Sequence, residues 1–217
     1  MVAMRPGEAK GSLVPDVAVS RAEYADVYQL AAVLACALFD LRVSAFLIPH
    51  VDQRRRMLPQ IVSLAYLQPA LADGVLWCTG DRTAAAAWLC HSPGQPHQPD
   101  PQVQAALSQV TGRWYPRLQR FDELLAEAHA PFLEIPHDFL GVLGVYPDLQ
   151  RQRAGTALLA AYHRHLDSIG RPAYLQAVQL ELIGFFQRFG YVETGHIITL
   201  PNHATVHPMW REPQPAP

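Results

Sequence analysis

The segment Leu143-Gly144-Val145-Tyr146-Pro147-Asp148-Leu149-Gln150-Arg151-Gln152-Arg153-Ala154-Gly155-Thr156-Ala157-Leu158-Leu159 decides the fold. It reads as the end of an apolar strand, a turn opened by Pro147, and the start of a helix. Phe139 to Tyr146 supplies the strand. From about Arg153, the residues Leu158, Leu159, Tyr162, Leu166 and Ile169 make one helical face, until Gly170 and Pro172 stop it. At such a junction the first-turn amides have no helical acceptor and sit at the positive end of the macrodipole. The sequence therefore predicts a site for an anion such as a pyrophosphate, with Gly155 and Ala157 permitting close approach.

Upstream, Val17 to Val19 makes a short strand, and Ser20 with Glu23 has capping-box spacing for a helix running to about Phe39. Asp52 is placed to cap a second helix through Leu71. Gly74 to Cys78 and Thr83 to Cys90 flank the turn-forming Thr79-Gly80-Asp81-Arg82 and predict a hairpin. His91 to Pro101 holds four prolines and a glycine, so it is expected to be a surface loop. Gln102 to His129 reads as helix broken near Gly112 and Pro116, with Leu118, Phe121, Leu124 and Leu125 as its apolar stripe. Downstream come a strand at Ala173 to Val178, a short helix at Leu180 to Phe189, and closing strands at Tyr191 to Leu200 and Thr205 to Trp210. This order points to an α/β or α+β sandwich. Residues 14–211 are expected to form one domain between a flexible N-terminus, 1–13, and a flexible tail, 212–217.

The 217 residues suit a single hydrophobic core, and the half that are apolar supply enough surface to bury one. A net charge of −2 denies the chain the broad basic surface that general nucleic-acid binding needs. The longest apolar run, Leu30 to Phe39, falls short of a membrane span, and no secretion signal opens the chain, so a cytoplasmic protein is expected. Cys36, Cys78 and Cys90 have neither disulfide nor zinc spacing and are expected to be buried free thiols.

Gln152, Gly155 and Ala157 fit the phosphate loop of the GNAT-type acyl-CoA-dependent N-acyltransferases: Gln or Arg, two residues, Gly, one residue, Gly or Ala. Pro136-His137 leading into Leu143-Gly144-Val145 and Pro147 resembles that family's fourth strand, and Phe185-Phe186 with Gly190-Tyr191 resembles its Phe-Tyr and Gly-Phe elements. The layout of the rest is similar to the puromycin N-acetyltransferase-like small-molecule acetyltransferases. The resemblance implies a GNAT fold: a twisted, mixed, mostly antiparallel sheet with helices on both faces. It also implies acetyl-CoA, or another acyl-CoA, as co-substrate, and a small-molecule amine as acceptor to a monomer or homodimer. Acyl-CoA would enter between the fourth strand and the Ala173 to Val178 strand. The backbone of Leu143, Gly144 and Val145 would hold the pantetheine arm, Phe186 would lie beside the cofactor, and the amides of Arg151, Gln152, Arg153, Ala154, Gly155, Thr156 and Ala157 would hold the pyrophosphate. The amine must lose a proton, the oxyanion needs a donor such as the Val145 N–H, and the thiolate must be protonated.

The family usually carries a tyrosine where Phe186 stands and often an asparagine where Leu182 stands; Phe139 occupies the place of a glutamate base. His137, on the same strand face as Phe139, is the nearest replacement base, and the Tyr191 hydroxyl a replacement acid; Glu134 and Asp138 are further candidates. An alternative is an acyl-CoA-binding sensor or a catalytically impaired relative. Arg54, Arg55 and Arg56 are expected on a solvated helix face, while Trp77, Trp88 and Tyr66 could line an acceptor pocket or fill the core. His163 and His165 cannot face one metal from a helix, and no metal site is expected.

Overall fold

A computed structural model of the chain describes residues 17–94 and 100–215. The expected flexible N-terminus and the middle of the proline loop lie outside the described residues. Eight strands form the sheet: β1 (Val19–Arg21), β2 (Gly74–Thr79), β3 (Ala84–His91), β4 (His137–Val145), β5 (Ala173–Ala177), β6 (Val192–Glu193), β7 (Ile198–Thr199) and β8 (Thr205–Arg211). Their order is β1-β2-β3-β4-β5-β8-β6, with β7 also on β8, and every pairing is antiparallel except β4 with β5. The mixed, mostly antiparallel sheet is thus the expected one. Helices α1 (Val27–Leu38), α2 (Arg42–Leu47), α3 (Val51–Val62), α4 (Gln68–Asp73), α5 (Pro101–Thr111), α6 (Tyr115–His129), α7 (Ala154–Ser168) and α8 (Ile183–Gln187) cover its faces.

The four alanines Ala84–Ala87 of β3 explain how both faces close. Ala84 and Ala86 lie in the core under α7 and α8, Ala85 and Ala87 in the core under α1 and α4, and all four are fully buried. Side chains this small let helices approach from both sides. Gly144 on β4 serves the same packing, because a Cβ there would sit 2.7 Å from Leu34 Cδ2 and 2.9 Å from Ala37 Cβ of α1.

Several local expectations need correction. Ser20 lies in β1; the reciprocal cap forms one turn later, where Glu23 N donates to Asp26 Oδ2 at 2.9 Å. The N-cap position of α3 is His50, with no side-chain capping bond, and Asp52 lies inside the first turn; the helix expected to reach Leu71 divides into α3, a π-helical turn at Ser63–Leu67, and α4. Pro69 has no N–H for the α-helical ladder, which accounts for a change of register just ahead of it. The strand expected from Tyr191 to Leu200 is split into β6 and β7, with Gly195 at φ +86° between them. The tail is docked as far as Gln214, whose N–H donates to Asp167 Oδ1 at 2.8 Å. Of the cysteines only Cys78 is buried; Cys36 and Cys90 are exposed. No helix is long and apolar enough to cross a membrane among the described residues.

Candidate active site

β4 and β5 pair only at Asp138 with Ala173, Phe139 with Tyr174 and Leu140 with Leu175, and then part. The cause is on the other edge of β4. Trp88 of β3 faces Leu140 and Ala87 faces Val142, so Gly141 is an extra residue, a β-bulge. One inserted residue reverses which backbone groups face which neighbour. Before it, Asp138 N donates to Pro172 O on the β5 side at 3.1 Å; after it, Tyr146 N donates to Thr83 O on the β3 side at 2.8 Å. By the strand's period of two, Leu143 and Val145 turn their N–H and C=O into the gap that β5 has left. The Val145 carbonyl accepts from Gln150 Nε2 at 3.3 Å. The gap is therefore a strand edge without a strand, open to an extended ligand that can hydrogen-bond as one.

The gap leads to the loop before α7. Arg151 and Arg153 both adopt left-handed backbone, with φ of +63° and +68°, which costs an arginine roughly 1–2 kcal/mol at each position. Among the described residues, the amides of residues 151–156 donate to no backbone or side-chain acceptor, while Ala157 N is taken by Arg153 O at 2.9 Å. Left-handed residues interleaved with a helix start gather N–H groups into a concave anion cradle. Over it lies Phe185 of α8, whose Cζ would be 3.7 Å from a Cβ at Gly155, beside Val145 Cγ2 at 3.8 Å. Phe185, rather than the Phe186 expected, lines this stretch; Phe186 is buried against Tyr191.

On the α1 face of the bulge stands Tyr66, carried by the π-helical turn; a Cβ at Gly141 would come within 3.0 Å of its Cδ1. Burial raises the pKa of the tyrosine hydroxyl, and the charge of Asp122 on α6 adds to the shift. Neighbouring packing fixes where Asp122 stands. Leu118, one turn earlier, packs in a cluster with Ile61 and Leu64, and Leu125, one turn later, offers its carbonyl to Gln176 Nε2 of β5 at 2.9 Å. Asp122 is exposed, yet desolvation pushes its carboxyl up to about 7, with repulsion from Glu123 adding to the shift. The raised pKa of Asp122 has no signal in the sequence, because one polar residue beside a helix stripe looks like an ordinary solvated position.

The residues expected to do proton chemistry lie elsewhere. His137 is fully buried at the closed end of β4, about 13 Å from the bulge at the usual rise per residue. Its Nδ1 donates to Ile135 O at 2.7 Å, so its Nε2 accepts from His129 Nε2 at 2.7 Å, and burial pulls its pKa down to about 4. Tyr191 is 1% exposed on the opposite face, its hydroxyl paired with His163 Nε2 at 3.0 Å. Both are core residues, removed from the cleft by the helices that seal them. Asp138 is buried too, its carboxylate held by Arg171 and Tyr162. Arg54 is not solvated as expected: it donates to Ile48 O at 2.8 Å and lies over the Phe39 ring, while Arg55 and Arg56 are exposed. Trp88 fills the core. No group able to hold a metal ion occurs among the described residues.

A mixed, mostly antiparallel sheet whose fourth and fifth strands diverge is the fold of the GNAT acetyltransferases, and solved structures bear out that fold. The arylalkylamine N-acetyltransferase 2 of Aedes aegypti superposes with a TM-score of 0.64 at 10% identity, covering 92% of this chain and all of that one. A Corynebacterium glutamicum protein described as histone acetyltransferase HPA2 and related acetyltransferase gives 0.61 at 18% identity, covering 93% and 99%. The Drosophila melanogaster polyamine N-acetyltransferase, which forms N-acetylagmatine, gives 0.57 at 16%, covering 91% and 100%. At these identities the likeness establishes the fold. No family model matches the chain.

Proposed function

We propose that the chain is a GNAT-type N-acyltransferase that passes an acetyl, or another acyl, group from a CoA thioester to the amine of a small molecule by direct attack in a ternary complex. The observation that carries this reading is the continuity of the parted β4 edge with the free amides of residues 151–156. Together they match a ligand with an extended amide-bearing arm at one end and a diphosphate at the other. The strained Arg151 and Arg153 backbone supports it, since strain of that kind, held in place by the surrounding structure, clusters at active sites and ligand clamps. The thioester supplies an activated acyl carbon; the chain's residues supply position. The Leu143 and Val145 backbone would orient the arm, the amides of Arg151 through Thr156 would bind the diphosphate, and Phe185 would shield it from water. The Val145 N–H, turned into the gap, would serve as a donor for a developing oxyanion.

The test is equilibrium dialysis against acetyl-CoA, followed by free-thiol release with a panel of amines. Saturable retention with amine-dependent release is expected; absence of retention would overturn the reading. Retention without release on any amine would favour an acyl-CoA sensor, the reading to which Phe186 and Leu182 lend support because neither carries a polar group.

A second expectation concerns the bulge. Gly141→Val places branched carbon where Tyr66 Cδ1 already stands 3.0 Å from the Cβ position, so the ring must move. Amine-dependent thiol release should fall tenfold or more while acetyl-CoA retention, which depends on the far end of the gap, stays within about twofold, as about 1.4 kcal/mol on the barrier alone would produce. Equal losses in both would show that the bulge shapes the coenzyme site instead.

A further inference from the structure

We infer that Gln176 of β5 binds the attacking amine, accepting one of its N–H bonds at Oε1, and that the acceptor is a primary amine on an apolar body. This rests on the acyl-transfer reading above. The strand register places Gln176 at the reacting point. Leu140 with Leu175 is the last pair before β4 and β5 part, so the next residues, Gly141 and Gln176, flank the mouth of the gap. On its other edge Gln176 pairs with Pro208 of β8, so the backbone that carries it is held in the sheet. Its side chain shares a sheet face with Tyr174, two residues earlier, to whose hydroxyl oxygen its Nε2 donates at 3.0 Å.

The hydrogen bonds fix which way the amide points. The Leu125 carbonyl of α6 can only accept, so the atom 2.9 Å from it is the Nε2 donor. The Tyr174 oxygen takes the second Nε2 proton. With both protons committed the amide plane is set, and among the described residues nothing donates to Oε1. Gln176 is partly buried, and Oε1 is absent from the described side-chain atoms that are both enclosed and unpartnered, so it meets water. A rigidly held accepting oxygen beside the gap is a ready partner for a substrate N–H. Across the mouth, Gly141 has no side chain, and the Tyr66 ring covers it, with Cδ1 3.0 Å from where a Cβ would stand. That ring offers an apolar wall to the body of the acceptor.

The preference for a primary amine follows from the atom balance. An ammonium first yields one proton to water, leaving two N–H bonds and a lone pair. With one N–H donated to Gln176 Oε1, the lone pair is oriented toward the thioester carbon. The C–N bond forms and the C–S bond breaks; the other proton passes from nitrogen to the departing sulfur. The hydrogen bonded to Gln176 remains in the product amide, so that contact lasts through the whole step. A secondary amine has a single N–H, which must leave, and it loses the contact as the reaction proceeds.

The experiment measures thiol release from acetyl-CoA with benzylamine, 2-phenylethylamine and tryptamine, each beside its N-methyl counterpart, for the wild type, Gln176→Leu and Tyr174→Phe. The wild type should favour each primary amine over its counterpart. Gln176→Leu should lower kcat/KM for the primary amines about 30-fold or more, while the N-methyl amines lose roughly threefold or less and acetyl-CoA affinity is unchanged. The ratio of primary to secondary amine is internal to each sample and so does not depend on how much of a variant folds. Tyr174→Phe, which removes one of the two bonds fixing the amide and leaves the other, should lower the ratio by a smaller factor. A ratio in Gln176→Leu within about twofold of wild type would show that the side chain only fastens α6 to β5, and would overturn the inference while leaving the acyl-transfer reading standing. Equal use of primary and N-methyl amines by the wild type would do the same. Acetyl-CoA retained with none of these amines acetylated would overturn the acceptor class and the inference with it. Absence of acetyl-CoA binding would overturn the reading beneath it.

Discussion

Replacing Gly155 by glutamate is expected to abolish acetyl-CoA binding while leaving the melting temperature unchanged or slightly raised. The combination discriminates, since most substitutions that destroy a site also destabilise the fold. Gly155 is the second residue of α7, and a Cβ there meets Phe185 and Val145 at 3.7 and 3.8 Å, ordinary contact distances. The backbone therefore tolerates a side chain, and a carboxylate in the first turn of a helix gains about 0.3–1 kcal/mol from the macrodipole. Against a bound diphosphate the same charge is repulsive by about 4 kcal/mol at a separation near 4 Å, roughly a thousandfold in affinity. It can also fold onto the free amides of residues 151–156 and occupy the cradle itself. Gly155→Ala serves as the neutral control and should retain affinity within severalfold. Calorimetry showing unchanged acetyl-CoA affinity in Gly155→Glu would place the diphosphate elsewhere.

The cradle was legible in the sequence because every part of it is local. A strand ending at Val145, a proline turn and a helix opening at Ala154 are written in consecutive residues, and the free amides follow from the geometry of any helix start. The left-handed arginines were not legible, because arginine carries no preference for that region and adopts it here under tertiary constraint. Nor was the bulge: an extra residue in β4 exists only relative to Ala87 and Trp88, some fifty residues earlier in the chain. The same dependence on distant partners hid the burial of His137. His137 reads as a strand-start histidine with an available ring, yet His91, His129 and Trp210 converge on it from three other elements. Asp122 reads as one more acid on a polar helix, and the rise of its carboxyl to about 7 comes from desolvation and from Glu123 beside it. Arg54 was likewise read from its neighbours Arg55 and Arg56, although Phe39 and Ile48 decide its burial.

The position of the gap depends on what closes its other end, and there Asp138→Ala should have the largest effect on stability, a loss of roughly 3–5 kcal/mol in urea unfolding. Asp138 accepts from Arg171 Nε and from the Tyr162 hydroxyl, both at 2.5 Å, while Arg171 Nη2 donates to the carbonyls of His91 and His137 at 2.8 and 3.2 Å. One carboxylate thus ties α7 and the turn before β5 to the start of β4, beside the first of the three residue pairs that hold β4 and β5 together. Alanine would strand a buried tyrosine hydroxyl and leave the guanidinium without its counter-ion. Because the Arg171 side chain keeps 23% of its surface in water, solvent relieves part of that cost and the lower half of the range is expected. Replacing Arg171 by methionine in the same chain should recover part of the loss, since the charge left unpaired is then gone as well. The functional consequence is separable from unfolding. With its closed end loosened, the β4–β5 divergence is no longer pinned at Gly141, so acetyl-CoA affinity per folded molecule should fall too. A loss below about 1 kcal/mol with unchanged affinity, the yield of an ordinary surface ion pair, would mean that the bulge alone sets the gap.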